Sequence, residues 1–293
     1  MSNETTAAET PSLPVSWEKT GRTITHEIRT SATPEQVWQA WTDPTKIAQW
    51  FTDGASGAPV VGSTYIWEFH KFNYRIPYTV LEAAPNERFA VGWSMPGRDP
   101  GILEITISRA RGDTVITLVN SGFREGAEWD DEYEGVSSGW QISLHVLKEY
   151  LEQHFGRPKI TALSMRPARF EYDELRDYFL DEALLARWLT TSGSVSRPGE
   201  RYALQLRSGA QATGRVLTVT RREVALSWEE IGGILELKAF AFSPGNRAAA
   251  VRVLSWNLSA ERAGAIEREM EEALGRLIGQ LTVEAAGGQP RQV

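Results

Sequence analysis

Apolar and polar residues follow two patterns along the chain, and each change of pattern marks a predicted element. Alternation over residues 24–30 predicts a strand, and Thr33-Pro34 predicts the start of a short helix, because threonine caps a helix and proline suits its first turn. Asp43-Pro44 predicts a second short helix. Turn residues separate the strands predicted next, which are 62–71, 75–83, 87–93, 101–109 and 114–121. A helix over 129–154 follows, and its apolar stripe is Trp140, Leu144, Leu147 and Leu151.

The same order of elements occurs a second time. Trp50-Phe51 and the peptide AVGWS at 90–94 correspond to Trp188-Leu189 and ALSWE at 225–229. A two-copy repeat of roughly 130 residues predicts tandem domains rather than a solenoid. We therefore expect an α+β fold with two domains, each a curved antiparallel sheet around a long C-terminal helix. The predicted divisions are a flexible tail over 1–20, domains over 21–156 and 159–284, and a second tail over 285–293.

Composition narrows the possible functions. The 31 basic and 38 acidic residues give a net charge of −7, which argues against nucleic acid or an anionic membrane surface as the main partner. With no cysteine and four histidines, the chain offers little for a metal site, and we expect neither metal nor cofactor. It has no apolar run long enough to span a membrane and no signal-peptide pattern, so a cytoplasmic location is expected. The 11 tryptophans indicate either a large aromatic core or an aromatic cavity.

A set of short motifs spans the first copy. They are ATPEQVW at 32–38, Trp41-Thr42-Asp43-Pro44, Trp50-Phe51, Val61-Gly62, Ser121-Gly122-Phe123 and Gly139-Trp140. With this combination, the copy resembles the activator of heat-shock-protein-90 ATPase homologue-like family of the START-like (SRPBCC, birch-pollen-allergen-like) superfamily. The second copy resembles a diverged member, since it keeps Trp188-Leu189, Pro198-Gly199 and Trp228 but lacks the other motifs.

The resemblance implies a helix-grip fold, in which a hydrophobic cavity lies between the sheet and the long helix. Members of the superfamily bind lipids, polyketides, hormones and other apolar molecules, some are cyclases or dehydratases, and some are co-chaperones. The fold alone does not choose among these functions.

The candidate site is this aromatic cavity in the first domain. We expect its wall to include Trp67, Phe69, Tyr78, Trp93, Phe123, Trp140 and Leu144. The alternative interpretation is an ordinary packed core, since a domain of this size buries a large apolar area in any case. A cavity volume distinguishes the two interpretations.

Two histidines and one acidic run are further candidates. His70 or His145 could act as a general acid or base, although an ordinary surface or buried role is the alternative for each. The acidic run over 125–134 is interpreted as the solvated start of a helix, where carboxylates favour the helix dipole, with a docking surface for a basic partner as the alternative. The first half of the chain is acidic and the second nearly neutral, which could help the two domains dock.

The sequence thus favours non-catalytic binding of a hydrophobic small molecule by the first domain. The second domain is assigned a structural or dimerisation role. The alternatives are a co-chaperone with a chaperone partner, the heat-shock protein 90 ATPase, a cyclase- or dehydratase-type enzyme, and an interaction scaffold with two solid cores. No catalytic residue is assigned, and the sequence determines neither the ligand nor the oligomeric state.

Overall fold

The same series of strands and helices is repeated in two domains. The computed structural model describes residues 17–94, 99–243 and 246–287. The first domain contains β1 (Arg22–Thr30), α1 (Pro34–Thr42), α2 (Pro44–Ile47), β2 (Gly54–Ser56), β3 (Thr64–Phe69), β4 (Tyr74–Ala84), β5 (Arg88–Trp93), β6 (Gly101–Ala110), β7 (Asp113–Phe123) and α3 (Asp130–Glu149). The second contains β8 (Ile160–Pro167), α4 (Tyr172–Leu180), α5 (Glu182–Trp188), β9 (Thr190–Ser192), β10 (Arg201–Leu206), β11 (Gln211–Val219), β12 (Glu223–Trp228), β13 (Gly233–Ser243), β14 (Asn246–Ser255) and α6 (Ala260–Gly287).

Each domain is built on a seven-stranded antiparallel sheet, and the two sheets have the same topology. The first has the order β1-β7-β6-β5-β4-β3-β2, and the second has the equivalent order β8-β14-β13-β12-β11-β10-β9. A long helix, α3 or α6, follows the last strand of each sheet. The predicted α+β fold of two tandem helix-grip domains is confirmed.

The short helices begin at the predicted capping residues. The Thr33 hydroxyl accepts a hydrogen bond from the Gln36 backbone N–H at 3.3 Å, and the Gln36 side chain accepts one from the Thr33 N–H at 3.0 Å. This capping box precedes Pro34 and satisfies N–H groups that the helix leaves free. Asp43 caps α2 and Asp181 caps α5 through backbone N–H groups of the following turn. The capped helices lie between the first strand of each domain and the rest of its sheet.

The structure differs from the predicted elements at three places. The strands β2 and β9 were not expected, because three residues are too few to show an alternating pattern. The end of α3 continues as a π-helical turn over Tyr150–His154. Helix α6 extends to Gly287, two residues past the start of the predicted second tail, and residues 288–293 of that tail lie outside the described residues.

Part of the predicted first tail packs on the first sheet. The ring of Trp17 lies against Gly92, where a Cβ atom would come within 2.3 Å of the ring. The Lys19 ammonium group lies 2.9 Å from a carboxylate oxygen of Glu104. Residues 1–16 of the predicted tail lie outside the described residues. The glycine in β5 therefore gives the tryptophan ring room that another residue would remove.

A buried tryptophan occupies the same position in both domains. Trp50 Nε1 donates to the carbonyl oxygen of Ala40 at 2.9 Å, and Trp188 Nε1 donates to that of Tyr178 at 3.0 Å. Both rings are almost fully buried, and each bond ties a residue at the end of the second short helix, or just after it, to the first short helix. The equivalent bond shows that the sequence repeat extends to the packing of the two short helices in each domain, a region called the helical corner below.

The second sheet is buried on both of its faces. Leu237 and Val253 point to the inner face, which packs against α6 to form the second-domain core. Ala225, Ile234 and Leu254 point to the opposite face, called the outer face below, and belong to the core of the first domain. Because side chains alternate between faces along a strand, β12–β14 contribute apolar residues to both domains. Helix α3 contacts both sheets and thus lies between them.

The acidic run meets basic residues of the second domain. Arg222 Nη2 donates to Asp131 Oδ1 at 2.7 Å and to Glu134 Oε2 at 3.0 Å. Arg247 lies 3.9 Å from Asp131, and Arg221 lies 3.7 Å from Glu134. Asp131 and Glu134 lie near the start of α3 and are 37% and 46% exposed, so they are solvated while they pair with basic residues of the second domain. The helix-start interpretation and contact with basic groups therefore both apply to these two carboxylates.

Candidate functional site

A cavity of about 1100 Å³ lies between the first sheet, α3 and the outer face of the second sheet. Pockets that bind drug-sized molecules typically enclose ~300–1,000 Å³, so this space is large enough for a ligand of that size. Its first-domain wall is dominated by aromatic rings. Besides predicted residues, these rings are Phe51, Phe72, Tyr74 and Trp129.

Six of the seven residues predicted for the wall lie on it: Trp67, Phe69, Tyr78, Trp93, Phe123 and Trp140. Leu144 does not, because it packs in the first-domain core. The cavity follows the N-terminal part of α3, and Ser143 is the last residue of that helix on the wall. The structure therefore brings the predicted aromatic residues together, and ligand binding by them remains a prediction.

Phe51 connects the aromatic wall and was not among the predicted residues. Its ring stacks on Trp140 at a centroid distance of 5.3 Å and meets Trp67 edge-on at 5.2 Å. Trp67 also contacts Tyr78, with centroids 4.5 Å apart. Such offset and edge-to-face contacts hold rings in fixed orientations. The adjacent residues Trp50 and Phe51 lie in different environments, because Trp50 belongs to the core and Phe51 faces the cavity.

The second domain supplies a charged section of the wall. Arg252 donates two hydrogen bonds to Glu236, both at 2.7 Å, and the Lys238 ammonium group lies 3.1 Å from Glu223 and 3.2 Å from Glu236. Glu223, Lys238 and Arg252 line the cavity, with Glu236 behind them. Burial tends to raise the pKa of Glu236, but Arg252 and Lys238 lower that pKa to about 2. Burial raises the pKa of Glu223 despite its contact with Lys238.

Lys159 brings a further cation to the wall beside this cluster. Its Nζ donates to the backbone carbonyl oxygen of Ala48 at 2.9 Å and to that of Thr52. Burial lowers the pKa of Lys159 to about 8, an effect that Asp53 opposes and Arg252 reinforces. Lys159 directly precedes β8, so it ties the start of the second domain to the helical corner of the first.

The two candidate histidines lie in different environments. His70 is on the rim of the cavity and largely exposed, with its Nε2 3.5 Å from a carboxylate oxygen of Glu68. His145 lies on α3 but is not part of the cavity wall. Burial lowers the pKa of His145 to about 4, so its imidazole is neutral at pH 7. Among the described residues, no group of three or more His, Asp or Glu side chains is arranged to hold a metal ion.

The sequence from residue 31 to residue 152 matches the family described as Activator of Hsp90 ATPase homolog 1-like protein. This range runs from just before α1 to the end of α3 and contains the aromatic part of the cavity wall. The first domain is thus similar to this family over most of its length. The match leaves out the second domain, which shares the sheet topology of the first.

The Ser121-Gly122-Phe123 motif, one of those that carry the family resemblance, positions part of the wall. Gly122 has φ +93°, and a Cβ atom there would lie 2.6 Å from the Cα atom of Gly101. Only glycine combines this backbone conformation with such a close approach of two strands. The Ile102 N–H donates to the hydroxyl of Ser121 at 3.3 Å, and Phe123 points to the cavity. The motif thus lies at the end of β7 and places the Phe123 ring on the cavity wall.

Solved structures with similar folds include both single-domain and two-domain proteins. The Aha1 dimer from Colwellia psychrerythraea is 25% identical, covering 46% of this chain and 99% of that chain, with a TM-score of 0.42. The di-domain ARO/CYC protein BexL from the BE-7585A biosynthetic pathway is 12% identical, covering 92% and 100%, with a TM-score of 0.42. DynU16, a protein encoded in the dynemicin biosynthetic locus, is 18% identical, covering 88% and 98%, with a TM-score of 0.40. At these TM-scores the likenesses assign neither ligand nor activity to this chain.

Two further searches give negative findings. Comparison with curated protein sequences yields no significant match. Of the helices in the described ranges, none combines the length and the apolar character needed to cross a bilayer.

Proposed function

We propose that the protein binds a hydrophobic small molecule, without catalysis, in the cavity between its two domains. The observation that carries the proposal is the cavity of about 1100 Å³ with its aromatic first-domain wall. Filling such a space with an apolar ligand removes the exposed ring surfaces from water, at ~25 cal/mol for each Å² buried. The rings already contact one another, so a ligand would find a preformed surface.

The wall also offers hydrogen bonds to a ligand with a few polar atoms. Trp67 Nε1, Trp140 Nε1 and Asn120 Oδ1 are buried atoms with no hydrogen-bond partner among the described residues. All three residues line the cavity. Because an unsatisfied buried polar group costs ~1–3 kcal/mol, a ligand hydroxyl or carbonyl that reached one of them would gain that energy.

The alternatives receive less support from the same geometry. A scaffold with two solid cores and a co-chaperone with a filled cavity both predict that side chains occupy the space between the first sheet and α3, part of which is open cavity in this protein. An enzyme of the cyclase or dehydratase type requires a carboxylate or an imidazole inside the cavity that is free to exchange a proton. The buried carboxylate of the wall, Glu223, is paired with Lys238 instead, and His70 is largely exposed at the rim.

A cavity-filling variant tests the proposal. Gly139 lines the cavity, and a Cβ atom added there meets nothing within 4 Å, so Gly139→Phe places a ring in the space without a clash at its base. The apolar fluorescent probe N-phenyl-1-naphthylamine is titrated into the wild type and the variant. We expect one probe per wild-type chain and binding weakened about tenfold or more in the variant, which corresponds to ~1.4 kcal/mol.

Gly279→Phe is the matched control. Gly279 is a helical glycine of α6, a Cβ atom there also meets nothing within 4 Å, and the residue is not on the cavity wall. The control variant should bind the probe as the wild type does. Absence of probe binding to the wild type, or equal binding by the wild type and Gly139→Phe, would count against the proposed function.

A further inference from the structure

The cations on the cavity wall are not equally neutralised. Arg222 bonds to two carboxylates, Lys238 lies between two, and Arg252 forms a two-pronged bond to Glu236. At the rim, Lys71 pairs with Glu267. Lys159 differs from these four, because its hydrogen bonds among the described residues go only to backbone carbonyl oxygens.

The surroundings of Lys159 favour an additional negative charge. An ammonium group has three N–H donors, and two of those of Lys159 are taken by the carbonyl groups of Ala48 and Thr52. Arg252 on β14 adds a second positive charge nearby and disfavours the charged form of Lys159. Asp53, before β2, attracts the ammonium group, but its Oδ2 accepts a hydrogen bond from the His70 N–H at 2.8 Å. A partly buried cation without a hydrogen-bonded carboxylate gains from an incoming anion.

The two walls of the cavity therefore favour different parts of one ligand. The first-domain wall is aromatic, whereas the second-domain wall carries Lys159 just before β8, with Arg252 and Lys238 on the sheet beside it. Lys238 and Arg252 are already paired with carboxylates, but a wholly apolar ligand would leave the Lys159 ammonium group against water or an apolar surface. An amphipathic ligand would satisfy both walls at once.

We infer that the ligand is an amphipathic organic acid, whose aromatic or aliphatic body lies against the first domain and whose anionic group binds the Lys159 ammonium group beside Arg252. This inference rests on the proposed function, because it requires the cavity to hold a ligand. It gives the second domain a direct part in ligand selection in addition to its structural contacts.

Two probes with the same ring system separate the inference from the proposed function. The anionic probe is 8-anilino-1-naphthalenesulfonate, and N-phenyl-1-naphthylamine is its neutral counterpart without the sulfonate. The measured quantity is the ratio of their dissociation constants for each variant. Loss of one charge-assisted hydrogen bond in Lys159→Met should weaken the anionic probe about tenfold and change the neutral probe little. Lys159→Arg, which keeps the charge, should retain the wild-type preference within about twofold.

Lys148→Met is the control for loss of a positive charge. Lys148 lies on α3 outside the cavity wall, so its removal should leave the ratio of the two dissociation constants unchanged. Near-ultraviolet circular dichroism of the tryptophans shows whether each variant keeps its packing. If Lys159→Met does not fold, the inference is tested by the pH dependence of anionic-probe binding to the wild type and to Lys159→Arg.

The pH dependence provides the second readout. Since Lys159 has a pKa of about 8, its charge is largely present at pH 7 and largely lost at pH 9. The wild-type affinity for the anionic probe should then fall about fivefold over this interval, while that for the neutral probe stays constant. Lys159→Arg should show no such fall, because arginine stays protonated.

The outcomes separate two kinds of failure. If the neutral probe does not bind the wild type, the proposed function fails and the inference fails with it. If the neutral probe binds but Lys159→Met leaves the ratio of dissociation constants unchanged, or the wild-type ratio does not change with pH, the inference of an anionic ligand is overturned and the apolar site remains.

Discussion

Removal of Arg222 should loosen the contact between the two domains. Its side chain is only 3% exposed, and it reaches Asp131 at 2.7 Å, Glu134 at 3.0 Å and the hydroxyl of Tyr172 at 2.8 Å. The guanidinium carbon also lies 3.9 Å from the centre of the Tyr172 ring. The substitution Arg222→Met keeps the apolar part of the side chain and removes the charge and its hydrogen bonds.

The magnitude follows from what remains after the substitution. A hydrogen bond to a charged group contributes ~1.5–3 kcal/mol, and three such bonds are lost. Asp131 and Glu134 are 37% and 46% exposed, so water can solvate them once Arg222 is gone. We therefore expect the free energy of unfolding to fall by about 2–3 kcal/mol, well below the simple sum of the bonds.

Urea unfolding followed by near-ultraviolet circular dichroism measures this loss. The neighbouring substitution Arg221→Met is the control, because Arg221 is half-exposed and pairs with Asp173 and Glu134 at the surface. Exposed pairs contribute ~0–1 kcal/mol, so the control should change the free energy of unfolding little. A loss below about 0.5 kcal/mol for Arg222→Met, or an equal loss for both variants, would refute the argument.

Two further predictions concern the buried network and the shared tryptophan. Because the pKa of Glu236 in the folded protein is about 2 and its ordinary value is 4.5, its stabilising effect is complete above pH 4.5 and is lost as the pH falls toward 2. Glu236→Gln should flatten the fall of the free energy of unfolding over that pH range, and an unchanged slope would argue against the network. Trp50→Phe and Trp188→Phe each remove the donor to a buried carbonyl and should each lower the free energy of unfolding by about 1–3 kcal/mol. If only one of the two substitutions lowered the free energy of unfolding, the two buried tryptophans would not contribute equally to stability.

The sequence predicts most of the fold because its signals are local and occur twice. The Thr33 cap, the alternating strands and the stripe through Trp140 each specify an element independently, and the second copy repeats the series. The three-residue edge strands β2 and β9 cannot be predicted in this way, because they form by pairing with β3 and β10 and show no pattern of their own.

The candidate site is predicted from the sequence on one side only. The aromatic wall follows from residues on consecutive strands, apart from Leu144, whose helical position gives its face but not how far the cavity extends along α3. The charged wall depends on which face of the second sheet meets the first domain, and no local pattern determines that. One signal was available: the face that carries Glu236 and Arg252 also carries Ile234 and Leu254 on the same two strands. Because the other face is apolar as well, apolar residues on this one indicate a second packed surface.

A crystal structure of the protein with 1-bromonaphthalene shows where an apolar ligand binds, because the anomalous signal of bromine locates the ligand without assumptions about its pose. We expect one bromine site inside the cavity, between the rings of Trp67 and Trp140 and the outer face of the second sheet. A cavity filled by side chains, or bromine bound only on the surface, would show that the cavity is not a binding site for apolar molecules.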